Sequence, residues 1–78
     1  MEKILPLSEL PTGQWGRVIS LNARGMIRYR LLDLGLVPDT TVQAVRRGPL
    51  GDPIAYRIRG ALIALRREEA GQVLVTPL

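Results

Sequence analysis

The sequence predicts a small, mostly β domain: a five-stranded barrel with one inserted α-helix and a short helical turn before the last strand. Three observations predict it. Eight glycines and six prolines cut the chain into short runs, most of those runs alternate as strands do, and one stretch alone carries clear helical periodicity. Short strands joined by Gly/Pro turns point to a small barrel, an arrangement that removes exposed sheet edges.

Each element follows from its residues. Pro6, Pro11 and Gly13 bound an opening segment in which Leu5, Leu7 and Leu10 are apolar. Trp15 to Leu21 alternates as a strand. Trp15, Arg17, Ile19 and Leu21 make its more apolar face, and Gly16, Val18 and Ser20 the other. Gly25 to Leu34 is the helix, with Ile27, Leu31 and Leu34 at i, i+4 and i+7 as the core stripe. Asn22 can cap or turn the chain before it, Gly35 suits a left-handed residue after it, and Pro38 stops its continuation.

Thr41 to Arg47 and Ile54 to Arg59 read as a hairpin around the loop Gly48-Pro49-Leu50-Gly51-Asp52-Pro53. In the second run Ile54, Tyr56 and Ile58 share one face, and Ala55, Arg57 and Arg59 the other. Gly60 supplies the next turn. Ala61 to Leu65 has high helix propensity, yet its place directly after a strand and a single Gly predicts a third antiparallel strand. A turn of helix over Arg66 to Gly71 follows, and Val73 to Val75 closes the sheet.

Composition removes whole classes of function. Seventy-eight residues make one domain, 1–78. With 46% hydrophobic and 23% charged residues the chain is too apolar for disorder. It has no cysteine, opens MEKILPLSEL without a signal-peptide cleavage site, and has no apolar run near the roughly 18 residues of a membrane span. These features predict a cytoplasmic protein that does not insert in the membrane. Histidine is also absent, and the seven acids (Glu2, Glu9, Asp33, Asp39, Asp52, Glu68 and Glu69) are scattered. That composition predicts no metal site, no cofactor and no catalytic nucleophile or base. Lys3 is the single lysine and opens no phosphate loop. The sequence therefore predicts a binding protein and not an enzyme.

Several stretches, taken in order, carry a resemblance. Leu7-Ser8-Glu9-Leu10-Pro11-Thr12-Gly13, Arg30-Leu31-Leu32-Asp33-Leu34-Gly35-Leu36-Val37-Pro38, Pro49-Leu50-Gly51-Asp52-Pro53-Ile54 and Ala64-Leu65-Arg66-Arg67-Glu68-Glu69-Ala70 together resemble the ferrous iron transport protein A family, FeoA, nearly end to end. The resemblance implies an SH3-like barrel and an accessory or regulatory role through contact with FeoB, a cytoplasmic GTPase domain joined to a ferrous iron permease. A related domain ends the iron-dependent repressors. The length of this chain leaves no room for their winged helix, so the resemblance favours the transport accessory. The family defines no catalytic residue to carry over.

Candidate contact residues fall in two groups. In the loop, Leu50, Gly51, Asp52 and Pro53 present a Pro-stiffened tip; alternatively the loop only sets hairpin geometry, with Asp52 bonding local backbone. On the helix, Met26, Tyr29 and Leu32 lie at the margins of the core stripe and can form an apolar strip for a partner or for another copy in a homo-oligomer, and Arg28 and Arg30 can pair with an acidic surface. The net charge is +4, with ten of eleven basic residues Arg. Arg46, Arg47, Arg57 and Arg59 form a basic stripe that supports the alternative of a small basic β-barrel binding nucleic acid. Against it stand only three aromatic residues, Trp15, Tyr29 and Tyr56, where single-strand binders offer several stacking platforms. Trp15 is assigned to the core or the barrel rim.

Overall fold

The computed structural model describes residues 3–78. Eight regular elements follow one another: β1 (Leu5–Pro6), β2 (Trp15–Leu21), α1 (Gly25–Asp33), β3 (Thr41–Arg47), β4 (Ile54–Ile58), β5 (Ala61–Leu65), α2 (Arg67–Ala70) and β6 (Val73–Pro77). A single 3₁₀ turn covers Leu7–Glu9, and Pro49–Gly51 forms a turn with Leu50 outside the helical region. The mostly β architecture, the inserted helix and the helical turn before the last strand agree with the sequence. So does Ala61–Leu65, which pairs antiparallel with β4 from Ile58↔Ala61 to Ile54↔Leu65. Tertiary pairing overrides its helix propensity.

The strands form one antiparallel sheet in the order β1-β6-β2-β3-β4-β5. Six strands stand where five were expected, because Leu5–Pro6 adds a two-residue strand beside β6. The sheet curls without a β1–β5 ladder among the described residues, so closure is incomplete and an edge remains. The cause is local: Pro6 lacks an N–H and the chain turns into a 3₁₀ turn at Leu7.

The core is built from inward positions of every strand. Val42, Ile54, Tyr56, Ile58, Leu65, Val73 and Val75 are buried, and Leu7, Leu10, Leu31 and Leu36 close over them. Tyr56 is the largest buried side chain, and its hydroxyl donates to the Leu7 carbonyl (3.1 Å). Arg47 donates to the carbonyls of Ser8 (2.8 Å) and Leu10 (3.2 Å). The opening segment is thus pinned across the barrel by two groups of the β3–β4 hairpin.

Three sequence expectations change. On β2 the inward face is Gly16 and Val18, not Trp15, Arg17, Ile19 and Leu21; Val18 is buried and Trp15 is 41% exposed. A Cβ on Gly16 would meet Leu10 Cδ2 and Val75 Cγ2 at 3.3 Å, so the absent side chain is what lets those two pack. A register shift between Val18 and Ser20 then re-phases the strand, and Leu21 packs against the core. On α1, Leu31 is buried and Leu34 packs against the core, but Ile27 is 41% exposed, because the first turns of the helix project beyond the barrel. Asn22 does not cap α1. Its N–H donates to the Gln72 carbonyl (2.7 Å), and Arg24 occupies the N-cap with no side-chain bond. Gly35, with φ +101°, ends the helix as expected.

Burial pushes the Tyr56 phenol above its ordinary value, with nearby Arg47 pulling the other way. A raised folded-state pKa stabilises the fold fully below the unfolded value of about 10, and that stability fades as pH rises past it. Tyr56→Phe should cost about 1 kcal/mol at neutral pH by removing one buried hydrogen bond. It should also remove the alkaline loss of stability that ionisation of Tyr56 is expected to bring above about pH 10. Urea denaturation of both chains at neutral and alkaline pH checks this.

Candidate functional site

The hairpin loop between β3 and β4 has an unusual backbone. Leu50 takes φ +65° and Gly51 φ +82°, and the Asp52–Pro53 peptide is cis. Gly48 has its own constraint: a Cβ there would stand 2.9 Å from the Asp52 carbonyl oxygen. The two strands of the loop therefore approach closely, and the tip is thrust outward. Leu50 is 100% exposed. A leucine held in the left-handed region with no core contact is an unusual use of a large apolar side chain.

The Asp52 carboxylate does bond backbone, but not local backbone. It accepts the N–H of Arg67 (2.9 Å), in the first turn of α2. The alternative in which the loop merely sets its own hairpin misses this tie across fifteen positions. Pro53 is exposed and Gly51 half-buried.

The helix strip is also on the surface. Met26 is 83% exposed and Tyr29 65%, while Arg28 folds back to donate to the Leu21 carbonyl (3.3 Å). Arg30 is paired with Glu69 of α2. The Glu69 carboxylate is nearly buried; its second oxygen accepts the Arg66 N–H (3.0 Å) that opens α2.

The loop and the helix strip, which the sequence offered as separate candidates, are thus tied to the same four residues. Asp52 holds α2 from the loop side, and Glu69 holds α1 from the other. Sequence reasoning missed Glu69, although Arg66 and Glu69 stand at capping-box spacing, which was the available signal.

The basic stripe divides. Arg47 is spent on the carbonyls of Ser8 and Leu10, and Arg59 lies across Gly35, its Cδ 2.9 Å from where a Cβ would be. Arg46, Arg57 and Arg59 itself remain exposed. Of the aromatics, Tyr56 is buried in the core and Trp15 sits at the rim. Among the described residues no three His, Cys, Asp or Glu converge as a metal ion would need, and none of the helices is long and apolar enough to cross a membrane. What the surface offers is exposed apolar tips beside arginines on a stiff frame.

The joint and the tip should respond differently to mutation. Asp52→Ala should lower stability by about 1 kcal/mol by removing the acceptor of the first N–H of α2, whereas Asp52→Asn, whose amide oxygen still accepts that bond, should keep most of the stability. Leu50→Asp should change stability by less than about 0.5 kcal/mol, since the side chain touches no core. Denaturant titrations of the three variants measure both.

The arrangement has close counterparts among known proteins. A family model described as the FeoA domain matches residues 5–77. A fusion protein of Fe(2+) transport protein A and the Fe(2+) transporter FeoB from Porphyromonas gingivalis is 41% identical over 69 residues, 88% of this chain. This chain spans 8% of the length of that relative. The solution structure of FeoA from Chlorobium tepidum superposes with a TM-score of 0.85 at 41% identity, covering 100% of this chain and 70% of that one. The crystal structure of Stenotrophomonas maltophilia FeoA, a prokaryotic SH3 domain protein complexed with zinc, gives a TM-score of 0.79 at 37% identity, covering 88% and 86%. With its SH3-like fold and a match running almost end to end, the chain belongs to the FeoA domain family.

Proposed function

We propose that this chain is an accessory of ferrous iron uptake that docks on the cytoplasmic GTPase part of a FeoB-type transporter and works through protein contact alone. The observation that carries it is the family match across nearly the whole chain together with a surface of exposed apolar tips and no histidine or cysteine to do chemistry. The Porphyromonas gingivalis relative supports the partner. There a transport protein A region and a FeoB transporter share one polypeptide, which keeps the two at high effective concentration. The Stenotrophomonas maltophilia protein has been put forward as a ferrous iron transport activating factor, in keeping with a regulatory role.

The docking surface we assign comprises Leu50, Gly51, Asp52 and Pro53 of the loop with Met26, Tyr29 and Arg30 of α1. Leu50 and Met26 are apolar anchors already exposed, and Pro49 and Pro53 reduce the conformational freedom the loop loses on binding. Tyr29 and Arg30 are residue types that carry disproportionate binding energy at interfaces. Within the fold Arg30 keeps Glu69 as partner, and its side chain is still 53% exposed.

Co-purification and titration with the soluble cytoplasmic domain of the transporter, across its nucleotide states, test this. Leu50→Asp and Met26→Asp should each weaken binding by about tenfold, with an unchanged circular dichroism spectrum. Absence of contact in every nucleotide state would refute the assignment.

A further inference from the structure

The edge of the sheet at β5 is a second surface, separate from the loop and the helix strip. Ala61–Leu65 contains neither charge nor proline and, among the described residues, pairs only with β4. Ile58 and Ala61 face each other across the two-residue turn Arg59-Gly60, both of positive φ. Such a turn closes on a hydrogen-bonded pair, so Tyr56↔Ile63 and Ile54↔Leu65 are hydrogen-bonded pairs too. The N–H and C=O of Leu62 and Ala64 consequently point away from the sheet. Among the described residues no other backbone hydrogen bond reaches them. Leu62 is 49% exposed, and Ala61 and Ala64 are exposed beside it. An apolar strand with an open ladder is a template for another strand.

Charge selects the occupant. Arg57 faces Leu62 on the neighbouring strand, Arg59 and Arg66 bracket β5, and residues 54–67 include no acid. A second copy pairing antiparallel would set the Arg59 end of one chain against the Arg66–Arg67 end of the other, twice by two-fold symmetry. Like charges so placed oppose pairing. A strand with acids at its ends meets the same arginines favourably.

We propose that the β5 edge takes up an extended, acid-flanked segment of another protein as an added antiparallel strand, held through the backbone of Leu62 and Ala64. This does not depend on the identity of the transporter partner.

The test titrates the isotope-labelled full chain with a short peptide of alternating valine and threonine flanked by aspartates. A lysine-flanked version is the control. Amide exchange should slow at Leu62 and Ala64, and the lysine-flanked peptide should bind about tenfold more weakly at low salt. Ala64→Pro removes an outward N–H from an edge position, where proline is tolerated, and should abolish binding without unfolding the chain. If that variant fails to fold, Arg57→Glu with Arg66→Glu serves instead and should reverse the preference between the two peptides. Binding that ignores flank charge, perturbation confined to α1 or residues 49–53, or no binding at low salt overturns the proposal.

Discussion

The frame of the candidate surface depends on α2, four residues whose two ends are held by different parts of the chain. Asp52 accepts the N–H of Arg67, and Glu69 takes both the Arg66 N–H and the Arg30 guanidinium. A helix this short does not persist on intrinsic propensity, since nucleation alone is unfavourable. Its stability comes from these carboxylates and from Ala70, buried against the core. Through them the loop and α1 take a set relation to the barrel, which is what a rigid docking surface requires.

The same economy shows at the N-terminal side. Leu7 and Leu10 are fully buried, yet the segment carrying them contributes only two residues of strand. Tyr56 and Arg47 satisfy its carbonyls and hold it down. Arg47 therefore reads as a surface charge in the sequence and acts as a structural donor in the fold. That diversion thins the basic stripe and weakens the case for nucleic acid, a case that rests on charge density.

Much of the fold was legible because periodicity and punctuation agreed. Ile54, Tyr56 and Ile58 alternate inward as read, Gly35 ends the helix, and the Arg59-Gly60 turn makes a strand of Ala61–Leu65 against its propensity. The face of β2 was not legible. Hydrophobicity favoured Trp15 and Ile19, whereas Gly16 faces inward because Leu10 and Val75 need the space, and the shift beyond Val18 breaks strict alternation. Ile27 likewise has the spacing of a core residue on a helix whose first turns overhang. For the site, the exposure of Leu50, Met26 and Tyr29 was foreseeable from loop and helix position. Their common attachment to α2 was not, since Asp52–Arg67 and Arg30–Glu69 are contacts between distant parts of the chain.

The most direct measurement of the central claim is a hydrogen-exchange footprint of the intact chain, with and without the transporter's cytoplasmic domain. Docking through the frame described predicts slower exchange over Gly25–Tyr29 and Gly48–Pro53, with the buried strands unaltered. A footprint that leaves both segments untouched while another face is protected would contradict it.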